Sequence, residues 1–187
     1  MIDIDGSMGE GGGQIIRSAV ALSALTGRDC RICEIRAGRK RPGLAAQHIA
    51  GIRGVAMLCG AELEGDALGS SEIVFRPGAL RRSDIRVDVG TAGSVTLVLQ
   101  ACLLPVIGSG ESGRVAITGG TNVRWSPPLD YLNHVVMPLL GRMGVRAKMN
   151  VSRRGFHPEA GGRWSWMSPR QQASGHFGWR SVAVCCR

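Results

Sequence analysis

The order of apolar segments in this chain recurs once, at an offset of roughly 80 residues, and that repeat narrows the possible folds more than any other feature. "EIRAG" is matched in place by "AITGG", and "GVAMLCGAELEG" by "PLLGRMGVRAKMN". The offset is above the usual solenoid period. It predicts two copies of one β-α-β-α-β-type unit, about 1–80 and about 81–162. Such units cover both faces of a sheet poorly when alone, so the copies are expected to pack against each other.

Hydrophobic period places the elements. Ile15, Ile16, Ala19, Val20 and Leu22 mark one face of a helix that ends at Gly27, and a strand follows over about 31–35. A second helix carries Ile49, Ile52, Val55, Ala56 and Cys59 at helical spacing until Gly60 stops it. Short strands are expected near 73–75 and 85–89. In the second copy Gly90 to Ser94 opens a helix through Leu104, Val115 to Ile117 forms a strand, and Pro127-Pro128 starts an amphipathic helix over 129–143.

Composition supports a globular chain and removes several classes. A 44% hydrophobic content allows a sizeable core, and the 28 glycines are clustered without a three-residue period, which excludes collagen. The net charge of +9 comes almost wholly from arginine, a planar fork suited to phosphate. A polyanionic partner and ordinary surface charge both fit that excess. The six cysteines include only one CxxC step, Cys30 to Cys33, so no zinc site is expected. Acidic Asp3 and Asp5 where a signal peptide needs basic residues, and no apolar run near the ~18 residues of a membrane span, lead to the expectation of a cytoplasmic protein with no membrane partner.

Four segments could carry chemistry. Gly6 to Gln14 is a glycine loop before a helix that bears Arg17, with Glu10 the one carboxylate there able to hold a divalent cation against phosphate. It is neither a Walker motif nor a clean dinucleotide fingerprint. The run Arg36 to Leu44 puts Arg36 and Arg39 beside a Pro42-Gly43 turn and leads into Gln47-His48, as a phosphate clamp would. Gly90 to Ser94 precedes Gln100, able to read a base edge. Ser126 to Tyr131 offers an aromatic face at Tyr131. Each segment alone has a plainer reading: a flexible turn, a solvated charged loop, a hydrogen-bonded structural histidine, or a cap with Ser126 at the N-cap position.

Together the segments resemble a family. "GEGGGQIIRSAVALSALTG", "IRAGRKRPGLAAQHIAGI", "GTAGSVTLVLQ", "GGTNVRWSPPLDYL" and "RGFHPEAGG" stand in the order and spacing of RNA 3'-terminal phosphate cyclases, over residues 1 to about 162. The resemblance implies an α/β (α+β) fold of repeated β-α-β-α-ββ units, sheets packed with helices, of which about half is present. It implies ATP and a divalent metal, magnesium or manganese, as cofactors, and RNA with a 3'-phosphate end as partner. It also implies a reaction in which a histidine takes up AMP, passes it to the RNA 3'-phosphate, and the 2'-OH closes a 2',3'-cyclic phosphate. By resemblance Glu10, Arg17, Arg36, Arg39, Gln47 and His48 line the site, with Glu10 near the metal, while Gln100, Pro127 and Tyr131 contact the nucleotide.

The departures are specific. The family's inserted domain, later repeat and nucleophile motif have no counterpart here, and His48, His134, His157 and His176 all lie outside that motif. His157 stands where the family often has Tyr, and Ala160 replaces a glycine. The chain is therefore expected to be truncated before the nucleophile, unable to complete adenylylation, and prone to self-association. Residues 163–187 crowd Trp164, Trp166, Trp179 and Cys185-Cys186 into a stretch without period. Because Trp and Met have single codons, Trp166-Met167 shifted by two bases gives Asp within a good strand sequence, so an irregular, out-of-frame tail is expected. A catalytically silent relative of ribosome biogenesis and an enolpyruvyl-transferase-like enzyme are the competing readings. The intact charged set argues against the first, and "RAGRKRPGLAAQH" against the second.

Overall fold

Ile2–Asp5, alternating apolar and acidic residues, opens the chain as β1, a strand the helix-led reading passed over. The structure is a computed structural model describing residues 1–81, 84–110, 112–156 and 161–169. From β1 the chain runs through α1 (Gly13–Thr26), β2 (Cys30–Cys33), α2 (Ala46–Cys59), β3 (Glu62–Glu64) and β4 (Ile73–Arg76). It continues through β5 (Asp84–Asp88), α3 (Val95–Ser109), β6 (Gly113–Gly119), a helical segment over 129–142, β7 (Lys148–Arg153) and β8 (Gly162–Ser168).

The strands form two four-stranded sheets of the same order, β1-β2-β4-β3 and β5-β6-β8-β7. In each, the first pair is parallel and the other two antiparallel. The parallel pair requires a crossover helix, supplied by α1 and by α3, while the outer pair needs only a turn. The result is an α+β fold built from a repeated β-α-β-α-ββ order.

α1 and α2 end where the sequence suggests: Gly27 and Gly60 sit in the left-handed region at φ 66° and 64°, and their N–H groups bond Ser23 and Ala56 carbonyls. α1, α2 and α3 pack on one another, and one core holds Ile16, Val20, Ile52, Val55, Val98 and Leu99 from the helices with Ile32, Phe75, Val87 and Ile117 from both sheets. Gly54 lets α2 and α3 close up, since a Cβ there would lie 2.8 Å from Cys102 Sγ.

Three expectations need correction. The helix over 129–143 is not one regular helix: α4 (Leu129–Tyr131) passes through a π turn (Leu132–Val136) into α5 (Met137–Arg142). Pro138 at the start of α5 has no N–H for the i−4 carbonyl, which accounts for the widened turn before it. Ser126 is not the N-cap; Pro128 is, and Ser126 Oγ donates to the Val123 carbonyl at 2.7 Å. The irregular stretch begins later than expected, because Gly162–Ser168 pairs on both sides as β8, with Trp164 and Trp166 buried. His157, Ala160, His176, Trp179 and Cys185-Cys186 lie outside the described residues. Among the described residues no helix is long and apolar enough to cross a membrane.

Candidate phosphate-binding site

Two helix N-termini face one cavity. The parallel strands β1 and β2 run side by side, so the loops leaving them emerge at the same sheet edge and lead to α1 and α2. The Gly6–Gly12 loop is held at its root by the Gly6 N–H, which donates to the Cys33 carbonyl at 2.7 Å, and by Asp5, whose carboxylate accepts from both the backbone and hydroxyl of Ser7. α1 then begins behind Gly12 without a side-chain cap, leaving its first N–H groups for an anion.

The cavity, about 660 Å³, is lined by Glu10, Gly12, Gly13, Arg17, Arg36, Arg39, Ala45, Gln47, His48, Leu97 and Trp125. Glu10 and Arg39 also line a neighbouring hollow with Ser7, Gly9, Gly11 and Gly38. Glu10 and Arg39 form an ion pair at 3.2 Å, mostly exposed on the Glu10 side, so it is weak and readily exchanged for a ligand contact. Arg36 stands in the left-handed region at φ 54°, and its Nη1 donates to the Gly43 carbonyl at 2.8 Å, which fixes the loop around the Pro42-Gly43 turn.

His48 is the most constrained member. It is buried, and its Nδ1 accepts the Ala45 N–H at 3.0 Å, one half of a capping box at the start of α2. That bond places the ring proton on Nε2, which points at the first turn of α1. Only glycine fits opposite it: a Cβ on residue 13 would lie 2.3 Å from Nε2 and 3.2 Å from Arg17 Nη1. Burial, then the charges of Arg36 and Arg17, push the His48 pKa from 6.5 down to about 4. The ring is thus a neutral donor at physiological pH. Burial also lowers Arg17, and burial with the nearby Arg39 lowers Arg36, so the cavity concentrates positive charge that an anion would relieve.

The second copy supplies the opposite wall. Ser94 caps α3, accepting from the Leu97 N–H, and its own N–H donates to Gln47 Oε1 at 3.3 Å. Gln100, in the second turn of α3, accepts from Arg17 Nε at 3.1 Å. Of the residues expected on the nucleotide, Gln100 therefore joins the cavity through Arg17. Pro127 is tied to α3, its carbonyl accepting from Thr96 Oγ1 at 2.8 Å, and Tyr131 is half exposed on α4; neither lines the cavity. Sequence reasoning missed Leu97 and Trp125. Leu97 looks like one more apolar residue in an apolar helix, but the "RWSPP" turn held a usable signal, a large aromatic beside turn-forming residues.

The sequence profile of a family described as RNA 3'-terminal phosphate cyclase matches residues 8–176. The chain belongs to that family. RNA 3'-terminal phosphate cyclases from Archaeoglobus fulgidus and Nitrosospira multiformis are 52% and 53% identical to it over 162 and 163 residues, 87% of this chain in each case and 49% and 46% of theirs. The Pyrococcus furiosus RNA 3'-terminal phosphate cyclase is 50% identical over 162 residues, 47% of its length. The chain spans about half the length of the curated relatives it matches.

The family implies a divalent metal, and the donor set is compatible with one. Among the described residues no group of three or more His, Cys, Asp or Glu side chains is placed to hold a metal, so Glu10 is the carboxylate to consider. A hard ion such as Mg²⁺ needs no protein cage: it keeps several waters and is held by one or two carboxylates together with substrate phosphates.

Proposed function

We propose that this chain provides the phosphate-binding half of an ATP-dependent RNA 3'-terminal phosphate cyclase, which converts an RNA 3'-phosphate into a 2',3'-cyclic phosphodiester. The observation that carries this reading is the convergence of Glu10, Arg17, Arg36, Arg39 and His48, with the N-termini of α1 and α2, on one cavity.

The residues divide the work by chemistry. Arg17, Arg36 and Arg39 neutralise phosphoryl oxygens as charge develops on them. The α1 N–H groups cradle a further oxygen, and His48 donates from Nε2. Glu10, whose exposed contact with Arg39 is readily given up, would hold a divalent ion, and the chemistry that ion would supply is neutralisation of phosphate charge. Gln100 orients Arg17, and Gln47 ties the first wall to the second through Ser94. The family resemblance also assigns Tyr131 and Pro127 to the nucleotide, which would then extend beyond the cavity that neither residue lines.

On this reading the histidine that takes up AMP is none of those in the 187 residues. His48 in particular is a poor nucleophile: its Nδ1 lone pair is occupied by the Ala45 N–H and its Nε2 carries the proton. Purified chain incubated with labelled ATP and metal therefore forms no acid-labile AMP adduct. The residues after Gly162 are read out of the ancestral frame, which accounts for two buried indoles on β8 that have no hydrogen-bond partner among the described residues; a single intact frame carrying this tail in related genomes would contradict this.

A chimera tests the main reading. Residues 1–162 of this chain joined to the remaining length of the Archaeoglobus relative should convert a labelled RNA 3'-phosphate to a phosphatase-resistant end, with ATP required. Glu10→Ala or Arg17→Ala should reduce the rate at least a hundredfold. An inert chimera that is folded, beside an active parent relative, would refute the assignment.

A further inference from the structure

The loop between β6 and α4 presents Trp125 at the mouth of the cavity in a position the fold has no use for. The residue is 89% exposed, the largest such fraction among the exposed apolar residues. Its backbone lies in the left-handed region at φ 65°, uncommon for a bulky side chain. Exposure and backbone strain both count against the folded state, and strain of this kind gathers at binding sites.

The surrounding turn holds that geometry firmly. Val123's carbonyl accepts from both the N–H and the hydroxyl of Ser126, and the Leu129 N–H donates to the Thr121 carbonyl. Pro127 and Pro128 follow at once, and Pro127 is anchored to Thr96. The ring is thus presented by a rigid turn, and little ordering is needed when a ligand arrives. Arg124 lies 5.2 Å from the ring centroid, adding a cation beside a π face. Arg17, Arg36 and Arg39 line the same cavity as Trp125, so on the phosphate-binding reading a nucleoside whose phosphate they hold brings its base toward the rim.

We propose that Trp125 is a stacking platform for a nucleobase whose phosphate is held by the arginine cluster. The chemistry is the flat face of a purine or pyrimidine, supplied either by ATP or by the 3'-terminal nucleotide of the RNA. The inference rests on the phosphate-binding reading of the cavity and adds to it one stacking residue, Trp125, distinct from Pro127 and Tyr131. Stacking on an aromatic tolerates any base, so Trp125 contributes affinity and orientation without sequence choice.

The test uses the 187-residue chain and its Trp125→Ala and Trp125→Phe variants, with three probes: tripolyphosphate, ATP, and a short oligoribonucleotide ending in a 3'-phosphate. Calorimetric titration should show Trp125→Ala binding a base-bearing probe about tenfold or more weakly, tripolyphosphate unchanged, and Trp125→Phe recovering most of the loss. Loss with ATP alone assigns the base to ATP, and loss with RNA alone assigns it to the terminal nucleotide. Unchanged affinity of Trp125→Ala for both base-bearing probes overturns the proposal while leaving the phosphate site standing. If the wild-type chain binds none of the three probes, the reading of the cavity falls and the base site with it. Because the side chain is so exposed, circular dichroism and melting of the variants should match the wild type.

Discussion

A histidine whose Nδ1 already accepts a backbone N–H can offer a ligand only its Nε2 proton, and His48 is in that state because α2 begins at Ala45 without a capping side chain. Its titration makes a stability prediction. Unfolded, the ring takes up a proton near pH 6.5; folded, only near 4. As pH falls from 6.5 the unfolded chain gains a proton that the fold refuses, so stability present above 6.5 drains away down to about pH 4 and then levels off, by about 3 kcal/mol in all. Urea unfolding of the chain and of His48→Gln across that range should give a steeper acid loss for the wild type. Parallel curves would mean that His48 is charged in the fold or exposed. At this scale much of the cavity lining was legible, because Glu10, Arg17, Arg36, Arg39, Gln47 and His48 stand in contiguous motif segments flanking helix starts. Trp125 could be flagged only as a large aromatic beside turn-forming residues, since nothing in hydrophobic period tells which way a turn residue faces.

Elements were readable where a buried face imposed a period. α1, α2 and α3 fall close to expectation, and so do β2, β4, β5 and β6. The strands overlooked are those with little or no buried face: β1, β3 and β7 alternate apolar and polar residues but are short or mostly exposed, so they carry no run of apolar residues for a helix-led search to catch. β8 was misread for the opposite reason, since Trp164, Ser165 and Trp166 are all buried. The indole N–H groups of Trp164 and Trp166 have no hydrogen-bond partner among the described residues, an unfavourable term of about 1–3 kcal/mol each. Trp166→Phe removes such an orphan donor while losing some packing, and should change stability by less than about 1 kcal/mol. Trp166→Ala leaves a large void in the same place and should cost about 3–5 kcal/mol. Urea midpoints at constant slope would measure both, and a Phe variant as damaged as the Ala variant would show that the indole nitrogen is bonded.

At the scale of the whole molecule, the repeated strand order explains why one core serves both sheets: each copy leaves a helix face that the other covers. That symmetry was visible as a sequence offset, while the packing of α2 on α3 through Gly54 and Cys102 is a contact between copies that no local pattern records. Val135, Leu139 and Met143 recur every fourth residue along the 129–142 segment and its end, 41%, 51% and 50% exposed. An apolar stripe of this kind should drive self-association that grows with concentration in sedimentation runs, and Leu139→Glu should shift the chain toward monomer. A wild-type chain monomeric at all concentrations would rule this out. The central claim is that the two copies jointly build a pocket for a terminal phosphate, and the most direct measurement is calorimetric binding of two otherwise identical oligoribonucleotides, one ending in a 3'-phosphate and one in a 3'-hydroxyl. The account predicts that the phosphate end binds about tenfold or more tightly, and that Arg17→Ala with Arg39→Ala abolishes the difference. Equal affinity for the two ends would contradict it.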